Sequence, residues 1–312
     1  MTRRPSRPPA VPHDVPVGIV RACLRDGRGG SPTAVVDERR PAGTDSPLTD
    51  AERRRVPARS GTSHAVFLSY DPSPGNDHAD VRPVVSARFF TTEGELPACG
   101  HGTVAALAFL AAHPGHGEHR VDVRVSGRVI EGRAVHGASA GSTDVTFAAG
   151  PIHLREPTPR ELALLLPALH LPATVASEAR VATLGRPRLL VPVSARSVLA
   201  ALTPHPARLA AACDRLSLLG CFVHHSPGPD TDRVTARMFA PSIGVPEDIA
   251  NVNSSACLAA HLLTRHGTPR IEVDMGDALG CPSTITATVR STSPGAMVDI
   301  TGAARIDRVQ RP

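Results

Sequence analysis

The sequence predicts an α+β fold made of two similar halves, and three observations carry the prediction. Runs with the period-two patterning of strands, "HAVFLSY" (64–70), "VVSARFFT" (84–91) and "VDVRVSGRVIEGRAV" (121–135), are mixed with capped helices without strict strand-helix alternation. One segment recurs almost half a chain apart. "ARFFTTEGELPACGHGTVAALAFL" (87–110) and "ARMFAPSIGVPEDIANVNSSACLAAHLL" (236–263) each run from an Ala-Arg-x-Phe strand through a Pro-containing acidic loop and small polar residues to an Ala/Leu helix. Each of these helices is apolar nearly all round, which suits a helix enclosed by sheet rather than one on a surface. Two domains follow, residues 16–148 and 149–312, with the last strand able to return to the first.

Residues 1–15, within "MTRRPSRPPAVPHDVP", are basic and proline-broken without an apolar stretch, so they read as a disordered tail and not a signal peptide. "TDAE" (49–52) and "TPRE" (158–161) are capping boxes that start surface helices, the second with Pro159 at the first helical position. The Gly within 121–135 marks a hairpin turn. Pro114 stops the first apolar helix, and Gly267 with Pro269 stops the second.

Composition narrows the function. The chain has 312 residues, 41% of them hydrophobic, enough for real cores. All 34 cationic side chains are arginine, a bias that resembles GC-rich coding, and the absence of lysine removes Schiff-base, internal-aldimine and P-loop chemistry. A net charge of +5 without a clustered basic stripe, and no Trp with Tyr70 as the sole Tyr, argue against nucleic acid as a partner. No run approaches the ~18 uninterrupted apolar residues of a membrane helix. The six cysteines show no C-x-x-C or zinc spacing and read as reduced and cytoplasmic. The "HH" at 224–225 gives little support for a metal, and none is expected. Glu95 and Glu247 lack the aromatic platform of a glycosidase.

"ELPACGHGTVAALAFL" (95–110) places Cys99 and His101 at the mouth of a helix too apolar to face water. If this helix and its repeat begin at one interdomain cleft, their free backbone N–H groups converge there as an anion site. A small carboxylate or amino acid is the natural guest.

These segments resemble the PhzF-like family, within the diaminopimelate-epimerase fold. "GGSPTAVVDE" (29–38), "GTSHAVFL" (61–68), "ELPACGHGT" (95–103) and "RMFAPSIGVPED" (237–248) are similar to four family segments in the same order. The resemblance implies two pseudo-symmetric domains, each a curled mixed sheet around a central helix, with the active site between them and a homodimer as the assembly. It implies cofactor-independent isomerisation by proton transfer on a small unsaturated amino or carboxylic acid. It also assigns Ser63, Gly100, Gly102, Thr103, Asn251, Asn253, Ser254 and Ser255 to substrate binding.

Two departures matter. The family's catalytic Glu falls on His64, and Asn251 with Val252 replaces a Thr-Gly pair. An imidazole near pKa ~6.5 can shuttle a proton as the Glu does. His101 and Asp248 match supporting positions, Asp248 as a partner for His101 or a helix-start acid. Cys99 stands where two-thiol racemases keep one thiol, and Asn251 where they keep the other. The readings left open are proton and double-bond movement through His64 in specialised-metabolite biosynthesis, a carboxylate-binding homologue without chemistry, and a racemase or dehydratase working through Cys99.

Overall fold

The strands pair in one register pattern that is used twice. The computed structural model describes residues 16–38, 48–70, 84–112, 117–226, 228, 231–290 and 296–310; the tail read over 1–15 and the stop at Pro114 lie outside them. The first half opens with antiparallel β1 (Val17–Ala22) and β2 (Ser31–Asp37). Two short helices, α1 (Asp50–Arg53) and α2 (Val56–Ser60), carry the chain to β3 (His64–Tyr70), parallel to β2. Antiparallel β4 (Val84–Phe90) and short β5 (Glu95–Leu96) lead into α3 (Gly100–Ala111), and β6 (His119–Val125) returns parallel to β4 before β7 (Arg128–His136) and β8 (Thr143–Arg155). The β6–β7 turn is Ser126-Gly127, both at positive φ (47° and 80°), the backbone that a two-residue hairpin matching the strand twist requires.

After α4 (Pro159–Ala168) the second half repeats this pairing. β9 (Arg180–Thr183) and β10 (Pro187–Pro192) are antiparallel; α5 (Arg196–Ala200) and α6 (Pro206–Leu216) cross to β11 (Cys221–His225), parallel to β10. Then come β12 (Arg233–Ala240), β13 (Val245–Asp248), α7 (Val252–His266), β14 (Arg270–Met275) parallel to β12, β15 (Ser283–Arg290) and β16 (Ala296–Gln310).

Two closed rings result. β1, β2, β3, β4, β6, β7 and β8 close through β16, and β9, β10, β11, β12, β14, β15 and β16 close through β8. The long strands β8 and β16 pair with each other and belong to both rings. β16 therefore reaches back to β1 through Ala304–Gln310, and the boundary expected near 148 falls inside β8.

Each ring wraps one helix. α3 contacts β1, β2, β3, β4, β6, β7, β8 and β16, and α7 contacts β8, β9, β10, β14, β15 and β16. All-round enclosure is why these helices are apolar on every face: Val104, Leu107, Ala256 and Leu258 are at most 1% exposed. Each such Val or Leu contributes about 1.5–3 kcal/mol of burial. Both capping boxes form, Thr49 with Glu52 and Thr158 with Glu161. α4 and α6 pack on each other in a separate apolar cluster that covers β9, β10 and β11. The fold is the α+β, two-half architecture read from the sequence. Among the described residues no helix is long and apolar enough to cross a membrane.

Candidate active site

The two enclosed helices start against each other. A β-carbon built on Gly100 would lie 2.4 Å from Val252 Cβ and 2.9 Å from Asn253 Oδ1, so only a glycine allows the first turns of α3 and α7 this close. The two N-termini are capped differently. Asn251 Oδ1 accepts from the Ser254 amide at 3.0 Å, whereas the equivalent residue of α3, Cys99, makes no side-chain cap. α3 thus leaves backbone donors unanswered by its own cap, aimed where α7 begins.

A cavity of about 30 Å³ lies at this junction, room for a water or two, so a larger guest enters only as the walls give way. His64, Cys99, Gly100, His101, Asp248, Asn251 and Asn253 line it. From the second half come Leu184, Arg186, Arg188 and Leu219, which sequence reasoning missed.

His64 and His101 face each other with ring centroids 4.4 Å apart and planes at 87°. Each is 2% exposed. Ser63 Oγ lies 2.8 Å from His64 Nδ1, which leaves Nε2 as its free nitrogen. Burial, reinforced by the charge of His101, holds His64 well below the ordinary imidazole range, so it is neutral at pH 7. Burial alone would lower His101 too, but Cys99 and Asp248 beside it outweigh that, aided by hydrogen bonds to Cys99 and the Ala250 carbonyl. They push its pKa up to about 9. Cys99 Sγ lies 3.5 Å from His101 Nε2 and 3.8 Å from Nδ1. Two neighbouring imidazoles are therefore held in opposite protonation states.

Asp248 is buried, which raises its carboxyl pKa against the opposing pull of His101 and Asn251. Oδ2 accepts from Asn251 Nδ2 at 2.9 Å, and Oδ1 has no partner among the described residues. The helix-start role weighed for Asp248 belongs to Asn251.

The match that decides the family spans residues 25–308, which fit the PhzC-PhzF family, described as phenazine biosynthesis-like proteins. The chain belongs to this family. Among curated PhzC-PhzF relatives, YddE of Escherichia coli, named an uncharacterized isomerase, is 28% identical over 83% of this chain and 87% of its own. A second uncharacterized isomerase, from Clostridium acetobutylicum, is 23% identical over 78% and 81%. A predicted epimerase from Pseudomonas aeruginosa superposes with a TM-score of 0.74 at 22% identity, covering 96% of this chain and 99% of that one. A hydroxyproline epimerase from Agrobacterium vitis superposes at 0.57 and 13% identity, covering 96% and 90%, and so shares the diaminopimelate-epimerase-like fold.

Within this PhzC-PhzF frame the residues expected at the site divide. His64, Cys99, Gly100, His101, Asp248, Asn251 and Asn253 converge on the cavity. Gly102, Thr103, Ser254 and Ser255 do not line it. Thr103 Oγ1 bonds the Cys99 carbonyl, Ser255 Oγ the Asn251 carbonyl, and Ser254 Oγ the Met238 sulfur. Ser63 is exposed and reaches the site only through His64.

The ligand atoms of His64, Cys99 and His101 lie within 4.8 Å of one another, two imidazoles and a thiol of the kind that bind zinc. The sequence gives no sign of this set, because His64 comes from a different element and far from the other two along the chain.

Proposed function

We propose that this protein is a cofactor-independent isomerase that moves a proton, and with it a double bond, on a small unsaturated amino or carboxylic acid. The observation that carries the reading is the His64–His101 pair. Two titratable groups whose surroundings drive their protonation apart are a ready base and acid. His64, neutral, takes an acidified C–H proton; His101, protonated, steadies the negative charge that develops and returns a proton at the far end of the allylic system. Transfer between the two facing rings resets them. Such acid and base catalysis supplies about 10²–10⁴-fold each. The α3 start receives the substrate carboxylate. Family membership supports the reaction class, and free cysteines fit a cytoplasmic enzyme; that it works as a homodimer in a biosynthetic pathway is part of the same proposal.

The Cys99–His101 contact favours one second reading, in which Cys99 is the proton carrier. Proton NMR in D2O with unsaturated and cyclic amino acids separates the two. Deuterium entering carbon with wild type and lost with His64→Ala supports the first. Exchange that survives His64→Ala but not Cys99→Ser supports the second, and binding without exchange leaves a carboxylate-binding homologue.

A further inference from the structure

Among the described residues Arg188 is the largest side chain with less than 2% exposure. It lines the active-site cavity, and its guanidinium has no carboxylate partner among the described residues. One terminal nitrogen donates to the Cys257 sulfur at 3.2 Å and the other to the carbonyls of Leu184 and Arg186 at 2.8 and 2.7 Å. Nε is buried with no acceptor.

The rest of the chain shows what it does with a buried or half-buried arginine when the role is structural. Arg53 is answered by Glu38 at 2.9 Å and Asp50 at 3.0 Å, Arg237 by Glu247 at 2.7 Å, and Arg25 by Asp277 at 2.8 Å and Asp274 at 3.3 Å. A buried charge without a counter-ion is costly unless something brings one. Asp248, the one acid in the cavity wall, directs Oδ2 to Asn251, and no ion pair joins it to Arg188. Arg186, also in the wall, adds a second cation on the β9–β10 turn, two residues before Arg188 in β10. The N-half wall meanwhile offers the uncapped α3 start, a separate anion site. The cavity thus holds more positive charge than its single acid answers, in two places.

We propose that Arg188 binds a second acidic group of the substrate, so that the enzyme acts on short dicarboxylic acids. One carboxylate sits at the α3 start and the other on the unanswered Nε–H of Arg188. The inference rests on the isomerase reading for its chemistry, but its test is one of binding.

The probes are glutaconate (2-pentenedioate) and 2-pentenoate, which share a five-carbon unsaturated chain and differ by one carboxylate. Isothermal titration of the wild-type protein is expected to give glutaconate at least ~30-fold the affinity of 2-pentenoate, the scale of a desolvated charge-assisted pair. Arg188→Gln is expected to remove that preference while leaving 2-pentenoate within ~3-fold and the melting temperature unchanged or raised. Arg188→Lys, which keeps the charge without the Nε–H, is expected to fall between. Equal wild-type affinities, no wild-type binding of glutaconate, or a parallel loss of both acids in Arg188→Gln and Arg188→Lys with a lowered melting temperature overturns the proposal. If the preference holds while no deuterium enters glutaconate, the dicarboxylate site stands and the proton-transfer reading falls.

Discussion

Gly100 and Val252 bring two helices of different halves nose to nose, with only 2.4 Å between the Val252 β-carbon and the place where a Gly100 β-carbon would be. Gly100→Ala must push the α3 and α7 starts apart, because the obstructing atom is the branched Cβ of a residue fixed in a helix. The expected result is a fall of at least ~10-fold in deuterium exchange and a lower melting temperature, measured by NMR and thermal denaturation.

The opposite titrations of the two histidines set the pH profile. His101, raised to about 9 from 6.5, stays protonated through neutrality, and His64, held well below 6.5, stays a free base. Exchange rate against pH is therefore expected to be flat around neutrality and to fall with a midpoint near 9, and His101→Gln should remove that alkaline limb. The stability signs differ as well. His101 adds stability that is full below 6.5 and lost as pH rises through about 9, whereas His64 costs stability as pH falls below 6.5, where the unfolded chain takes up a proton that the folded one refuses.

Asn251 holds two groups with one side chain, capping Ser254 and bonding Asp248. Asn251→Ala is expected to cost about 1–2 kcal/mol in chemical denaturation, and Asn251→Asp, which keeps the cap but sets a like charge against Asp248, should lower activity more than stability.

The His64, Cys99 and His101 atoms gather into a donor set for a thiophilic ion. Added Zn²⁺ is expected to inhibit exchange, chelator to restore it, and Cys99→Ser to weaken the inhibition by ~10-fold or more. Inhibition unchanged in Cys99→Ser would place the ion elsewhere.

Much of this was legible in the chain itself. The capping boxes, the 64–70 strand and the two all-apolar helices announce themselves because local chemistry fixes them. Cys99 and His101 could be read because they stand at a helix mouth. His64 showed its place only through resemblance, since nothing local sets a strand-opening histidine apart. Arg188 was invisible: nothing in "GRPRLLVP" sets it apart from the chain's other arginines, and only the fold turns it inward beside Cys257. The Thr103 and Ser255 hydroxyls are taken up within their own helices. A hydroxyl in a first helical turn finds the carbonyl four residues back before it finds a ligand.

β8 and β16 have a consequence for how the molecule comes into being. Each ring borrows a stave from the other, so a half-length chain would be left with an open edge, hungry for backbone partners. The second half needs β16 only as far as Ala304, but the first cannot close until ribosomal synthesis has delivered the stretch from Ala304 to Gln310 that pairs with β1. Truncating the last dozen residues should undo the opening half of the protein, almost three hundred positions upstream of the cut.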